Sequence, residues 1–255
     1  MLGIDLGSRR VKIVEMNENG ILQRRSFDTI NFYREYGKMV EGSLHIDMPA
    51  LGLPETLLIA TGYGKTSVRV EGARNMPEIQ AHAAGAVHQS SQRDFTLLDI
   101  GGQDTKVIQV RGGRPVDFLT NDRCAAGSGR YLENMAAVLG ISLEGLSSYA
   151  DVSIELNATC AIFAETEIIA RVIEGYSTAQ LGAGVNYALY RRVAPLLKKL
   201  PSPVYIMAGG GAKSQALQQI AARDLQAPVI ALADPEFNGA IGCCVIGREM
   251  SSQAI

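Results

Sequence analysis

The feature that most narrows the folds open to this chain is a short pattern used twice. Leu2-Gly3-Ile4-Asp5-Leu6-Gly7 carries an apolar strand into an Asp, one apolar residue and a glycine turn, and a second strand follows near Val11 to Glu15. Ninety-four residues further on, Leu97-Leu98-Asp99-Ile100-Gly101 repeats the pattern, with a strand from Thr105 to Val110 behind the turn. Each copy continues into a third strand: Ile21 to Phe27 after Asn17-Glu18-Asn19-Gly20, and Arg114 to Leu119 after Gly112-Gly113, both glycine-bearing hairpin turns. A duplicated hairpin unit calls for two lobes, and 255 residues suffice for two compact bodies.

The rest of the chain alternates short apolar runs with helical stretches, which reads as α/β layers. Leu57 to Ala60 is a buried strand that ends at Thr61-Gly62-Tyr63-Gly64, and residues 78–90 read as a helix. Past residue 126 helices dominate. Tyr131, Leu132, Met135, Val138 and Leu139 recur at helical spacing across Ser128 to Leu139, with Gly140 as the C-terminal stop. Further helices are expected over Ala161 to Ile173, Tyr187 to Leu200, Ser214 to Asp224 and Pro235 to Ile246, and a strand over Val204 to Met207. The expected division is one lobe from residues 1–92 with 236–255, and a second from 93–235.

Three glycine turns follow apolar strands. Main-chain N–H groups approach phosphate oxygens where no Cβ intervenes, so such junctions suit a phosphate cradle as well as a plain tight turn. The first, at Asp5, Gly7 and Ser8, adds a carboxylate and a hydroxyl, with Lys12 on the outgoing strand as a counter-charge. The second, Asp99-Ile100-Gly101-Gly102-Gln103-Asp104, adds two carboxylates and an amide; carboxylates beside phosphates act through Mg²⁺. The third, Gly209-Gly210-Gly211-Ala212-Lys213, opens a helix and suits a phosphate or an adenosine. Neither G-x-x-x-x-G-K-S/T nor G-x-G-x-x-G occurs.

The pattern resembles the superfamily of actin, hexokinase and heat-shock-chaperone ATPases, in which two ribonuclease-H-like lobes hold Mg·ATP in the cleft between them. The order also matches: phosphate turn, second phosphate turn, adenosine loop.

A net charge of −2 argues against nucleic acid as a partner. No apolar run approaches the ~20 residues of a spanning helix, and the N-terminus goes straight into a strand, so a cytoplasmic protein is expected. Four cysteines are too few for a disulfide scaffold. Cys124 and Cys160 each precede a helix, where the dipole favours thiolate; buried structural thiols and ligands of an iron–sulfur cluster both fit them. Cys243 and Cys244 stand in a small, apolar run and read as helix core.

A closer resemblance lies in Gly3-Ile4-Asp5-Leu6-Gly7-Ser8, Thr61 to Lys65, Glu78 to Ala86, Asp99 to Lys106, Asn121 to Tyr131, Cys160 to Glu167, Gly209 to Lys213 and Pro235 to Ala240. These segments span nearly the whole chain and resemble the activators of 2-hydroxyacyl-CoA dehydratases, the BadF/BadG/BcrA/BcrD group related to benzoyl-CoA reductase subunits. The resemblance implies a homodimer with one 4Fe–4S cluster between the subunits, held by Cys124 and Cys160 of each. It implies ATP hydrolysis that drives a low-potential electron onto an iron–sulfur dehydratase or reductase, a double-cubane cluster protein included, with ferredoxin or flavodoxin as donor. Asp5, Ser8 and Lys12 match the first phosphate motif, Asp99, Gly101, Gly102, Gln103 and Asp104 the second, and Gly209, Gly210, Gly211 and Lys213 the adenosine loop. Asp5, Gln103 and Asp104 are the candidate catalytic groups, Gln103 standing where an attacking water can be oriented. One departure is Arg9-Arg10, where the family has a small hydroxyl residue after Ser8. His82 and Glu165 also match, the first as a packing or site residue, the second as a cap or a nucleotide-ordering group. A small-molecule kinase, or an actin-like filament or scaffold ATPase, is the alternative, and neither needs Cys124 and Cys160.

Overall fold

The computed structural model describes residues 1–62, 68–121, 125–151, 154–157 and 160–252. The chain divides into two compact units: Met1–Arg93 with Gly113–Pro115 and Glu236–Ile255, and Asp94–Gly112 with Val116–Pro235.

The first unit is built on strands β1 (Leu2–Leu6), β2 (Arg10–Asn17), β3 (Gly20–Asp28), β6 (Leu58–Thr61) and β8 (Ala73–Asn75), in the order β3-β2-β1-β6-β8. The β1–β2–β3 meander is antiparallel, while β6 and β8 run parallel to β1. Every residue of β1 is buried because both of its faces are covered. Leu2, Ile4 and Leu6 pack with Phe32 of helix α1 (Thr29–Tyr36), Ile46 and Leu51. On the opposite face, helix α8 (Asn238–Ser252) lies so close that a Cβ on Gly3 would meet the Ala240 carbonyl at 2.0 Å. Helix α2 (Glu78–Ser90) is bound to α8 by the same device, small residues at Gly85 and Gly242 admitting Asn238 and the Ala81 carbonyl. Strands β4 (Gly37–Val40), β5 (Ser43–Ile46) and β7 (Val68–Val70) form a small separate sheet.

The second unit repeats the plan. Strands β9 (Phe95–Ile100), β10 (Thr105–Arg111) and β11 (Arg114–Thr120) precede β12 (Tyr205–Ala208) and β13 (Val229–Ala231), ordered β11-β10-β9-β12-β13. Here too the second strand is antiparallel to the first, and the inserted strands are parallel to it. The helices are α3 (Gly129–Val138), α4 (Leu143–Ser147), α5 (Ala161–Ile173), α6 (Thr178–Lys199) and α7 (Gln215–Leu225).

Several helices differ from the sequence expectation: α4 was not expected, α8 runs on to Ser252, and two further cases have a clear local cause. Helix α6 begins at Thr178 and not at Tyr187, because Ser177 and Gln180 form a capping box. Gly182 and Gly184 dilute the helical signal there, yet each makes room for a neighbour: Cβ atoms would meet the Tyr149 ring at 2.5 Å and the Ile154 carbonyl at 2.8 Å. Helix α1 was not expected at all. Asp28 caps it by accepting from the Ile30 and Asn31 N–H groups at 3.1 and 3.2 Å.

Candidate functional site

In the first hairpin, Asp5 and Lys12 are direct partners across the β1–β2 pair, which puts both side chains on one face. The Lys12 Nζ lies 3.6 Å from Asp5 Oδ2. Lys12 reaches back over the turn: a Cβ on Gly7 would come within 3.1 Å of its Nζ and 2.6 Å of the Arg10 carbonyl, so position 7 requires glycine. Asp5 itself is walled by two glycines. A Cβ on Gly62 would meet its Oδ1 at 2.7 Å, and one on Gly239 its Oδ2 at 3.1 Å. His82 is buried on the far side of Gly239, its Nε2 3.0 Å from the same Cβ position and 3.8 Å from Glu78 Oε1. Its carbonyl accepts from Asn238 Nδ2 at 2.9 Å, so His82 belongs to the α2–α8 joint and borders Asp5.

Helix α1 fixes the turn from behind. The Thr29 hydroxyl donates to the Gly7 carbonyl at 2.8 Å, and the Thr29 N–H donates to the Arg9 carbonyl at 3.3 Å. A trans peptide is a rigid plate with its C=O and N–H on opposite edges, so the Ser8 N–H points away from Thr29. The two arginines are engaged along the hairpin. Arg9 Nη1 stands 3.6 Å from Asp28 Oδ2, and Arg10 donates from Nε and Nη2 to the Ser26 hydroxyl and carbonyl at 2.7 and 3.3 Å.

The second hairpin closes through the Gly101 N–H, which donates to the Asp104 carbonyl at 2.9 Å. Asp99 faces Lys106 across the β9–β10 pair, as Asp5 faces Lys12. Lys106 is only 5% exposed, with its Nζ 2.9 Å from Asp104 Oδ2 and 3.9 Å from Asp99 Oδ2. Lys106 was not singled out by sequence reasoning, although the 94-residue offset that relates Asp5 to Asp99 also carries Lys12 onto Lys106. Gln103 is exposed at the tip of the turn.

This turn is likewise held from behind, by the start of α3. Gly129 N–H donates to the Gly101 carbonyl at 2.8 Å, and Arg130 N–H and the Ser128 hydroxyl donate to the Gly102 carbonyl, each at 3.2 Å. The Gly102 and Gln103 N–H groups therefore point the other way. The next strand joins the same segment: the Thr105 hydroxyl donates to the Gly127 carbonyl at 2.6 Å, and Thr105 and Asn121 exchange N–H bonds, each at 3.0 Å.

Gly209 continues β12 beside this turn, and a Cβ there would meet Asp99 Oδ1 at 2.6 Å. Gly210 to Lys213 form one short helical turn, with Gly211 buried against Ile100 and Lys213 exposed; α7 follows from Ser214, whose hydroxyl accepts the Leu217 N–H at 3.2 Å.

Cys160 is the N-terminal cap of α5 and is half-buried. Cys124 lies outside the described residues. Glu165 is exposed on α5. Cys243 and Cys244 are wholly buried in α8 against β1, and burial pushes the Cys244 thiol up to about 12. Among the described residues no three metal-ligating side chains cluster, and no helix is long and apolar enough to cross a membrane.

The donor sets fit the groups that the sequence implies. Asp99 and Asp104 on one turn offer the one or two carboxylates that Mg²⁺ uses beside phosphate oxygens. Cys160, half-buried at a helix start, is of the residue type that iron–sulfur clusters take as ligands.

Two units, each a three-stranded hairpin with parallel strands beside it and an Asp–Lys pair at a glycine turn, define an ATPase of the actin-like fold. The chain belongs to the BadF/BadG/BcrA/BcrD ATPase family, which it matches over residues 2–247. It is 32% identical over 202 residues to the 2-hydroxyisocaproyl-CoA dehydratase activator of Clostridioides difficile, covering 77% of this chain and 75% of that one. It is 29% identical over 267 residues to the (R)-2-hydroxyglutaryl-CoA dehydratase activating ATPase of Acidaminococcus fermentans, covering 99% and 98%. The solved activator of the 2-hydroxyisocaproyl-CoA dehydratase from Clostridium difficile, with bound ADPNP, superposes with a TM-score of 0.84 at 25% identity, over 100% of this chain and 96% of that one.

Proposed function

We propose that this protein is a homodimeric iron–sulfur ATPase that couples ATP hydrolysis to transfer of a single low-potential electron onto an iron–sulfur partner of the acyl-CoA dehydratase or reductase type. The observation that carries the reading is the bonding of the second glycine turn to the start of α3. Gly101 and Gly102 accept from residues 128–130, a few positions past Cys124, so a ligand that engages the turn acts on the chain that bears a candidate cluster ligand.

Each unit carries groups suited to a nucleotide. The Ser8 N–H and Lys12 ammonium in one, and the Gly102 and Gln103 N–H groups in the other, bind phosphate oxygens, while Gly209, Gly210, Gly211 and Lys213 receive the adenosine. Asp99 and Asp104 hold Mg²⁺, and Asp5 of the first hairpin is a further candidate carboxylate. Gln103 orients the attacking water. Cys124 and Cys160 of two chains hold one 4Fe–4S cluster, which supplies a one-electron carrier. The exposed apolar residues of α5, the helix that Cys160 caps, support a second copy along it: Phe163 and Ile173 are 70% and 82% exposed. A tenfold shift in a one-electron equilibrium corresponds to about 59 mV, or about 1.4 kcal/mol, so nucleotide hydrolysis covers a few hundred millivolts. The named relatives act on dehydratases, and an acceptor of that class with a ferredoxin or flavodoxin donor completes the reading.

The test is iron and acid-labile sulfide per chain after anaerobic purification, with the oligomer mass. About two iron per chain in a dimer supports one shared four-iron cluster. A metal-free protein that hydrolyses ATP and cannot be reconstituted defeats it and favours a kinase or scaffold ATPase, whose activity would survive Cys124→Ser and Cys160→Ser.

A further inference from the structure

The two hairpins correspond position for position in strand register, yet they do not carry the same charge. Gly7, Ser8, Arg9 and Arg10 correspond to Gly101, Gly102, Gln103 and Asp104, and Lys12 to Lys106. In the first, one carboxylate faces one lysine at 3.6 Å. In the second, a buried lysine stands between two carboxylates, 2.9 Å from Asp104 and 3.9 Å from Asp99. Lys12 has 19% of its side chain exposed and reaches over Gly7, placed for an external anion. Lys106, with 7% exposed, has its charge committed to the turn's own acids.

We propose that Lys106 is a positioning residue of the nucleotide site: its ammonium holds the Asp99 and Asp104 carboxylates in place and lowers their joint charge, so that an anionic nucleotide can approach the second turn. The inference rests on the ATP-binding part of the reading above and not on the cluster. Three features of the site support it. A buried ammonium needs partners to offset its lost hydration, and the two acids provide them. Asp99 is gripped from the other side by Gly209, where no side chain fits, so lysine and glycine together leave its carboxylate one orientation. Asp104 is 42% exposed and would swing freely without the ammonium. With Lys106 the three groups sum to −1; without it they sum to −2, which a Mg²⁺-bound nucleotide tolerates and a metal-free one does not.

The measurement is calorimetric titration of the full chain with ADP, with and without Mg²⁺. In Lys106→Met, metal-free ADP is expected to lose at least tenfold more affinity than Mg·ADP. Lys106→Arg keeps the wild-type ratio within about threefold, and the double variant Lys106→Met with Asp104→Asn returns it toward wild type by removing the excess charge. Equal weakening of both forms in Lys106→Met, with no recovery in the double variant, overturns the proposal in favour of a general structural role. So does loss confined to Mg·ADP, which would mean that Lys106 serves the metal ligands alone and not the approach of an anionic nucleotide. Should Lys106→Met not fold, Lys106→Gln and Asp104→Asn alone carry the comparison: Asp104→Asn must narrow the gap between the two forms, and a gap that widens overturns the idea. Wild-type protein that binds neither form removes the nucleotide site itself, whereas failure of the cluster reading leaves these titrations intact.

Discussion

The Asp99 carboxylate rests against the backbone of Gly209: a Cβ at position 209 would come within 2.6 Å of its Oδ1 and 2.3 Å of the Ile100 carbonyl. Gly209 also holds φ +75°, a left-handed conformation that disfavours any side chain. The acid of the second turn and the first residue of the third glycine turn are thus one packed unit.

Gly209→Ala is therefore expected to lower stability by about 1–3 kcal/mol, read as a shift in the urea midpoint. It should also weaken ADP binding at least tenfold, because Asp99 must move. Gly210→Ala meets nothing within 4 Å and should stay within about 0.5 kcal/mol of wild-type stability. Equal stability of the two variants would remove the steric argument.

Thr29 fixes the Gly7 carbonyl with its hydroxyl, and through the rigid peptide it aims the Ser8 N–H. Thr29→Val, which deletes the hydroxyl at constant shape, should cost about 1–2 kcal/mol through the unpaired carbonyl and raise KM for ATP several-fold more than it lowers kcat. Thr29→Ser restores the donor and should recover KM. A Ser variant as impaired as the Val variant would show that the methyl group, not the hydroxyl, matters.

Asp224 is held below the usual carboxylate range, first by its hydrogen bond from Lys198 and then by that from the Tyr190 hydroxyl. A depressed carboxyl stabilises the fold fully above its unfolded pKa of ~3.9, and loses that contribution as pH falls through the lower folded value. Asp224→Asn should lower the urea midpoint at pH 7, and the gap to wild type should close as pH drops below ~4. A gap independent of pH would mean that packing of Tyr190 and not charge carries the effect.

Cysteine reactivity should be sharply divided. Cys243 and Cys244 are fully buried, and the Cys244 thiol titrates near 12, so neither should react with an aromatic disulfide at pH 8 in native protein freed of iron. Cys160, half-buried at a helix cap, should react. Peptide mapping after native and urea-unfolded labelling reads this directly, and native labelling of Cys243 would contradict the packing of α8 on β1.

Much of this arrangement is legible in the sequence because it is local. An apolar strand, a glycine turn and an answering strand leave a signature within a dozen residues, and α2 occupies the expected residues 78–90. What escapes is held by distant partners. Helix α1 is rich in aromatic residues and owes its place to Phe32, whose ring lies 5.3 Å from those of both Phe27 and Tyr36. Lys106 escaped for a different reason. A lysine near the start of a strand reads as a solvated side chain until the repeat is extended through the whole hairpin and its buried cross-strand partner Asp99 becomes visible. The candidate site divides likewise: the turns announce themselves by glycine, whereas Thr29 and Ser128, which aim the turns, are ordinary polar residues in sequence.

Helix α8 follows both sheets in the chain yet covers β1, more than two hundred residues before it. During vectorial synthesis the face of β1 that carries Gly3, along with Val14, stays open to water until residues 238–252 have emerged, so the unit that contains the N-terminus is the later one to close. The second unit has all its strands by Ala231 and can complete its core while the chain is still growing. A chain halted before residue 238 would thus have a finished second unit and a first unit lacking its back wall. The duplicated hairpins, alike in strand plan, would then differ in when they become able to act.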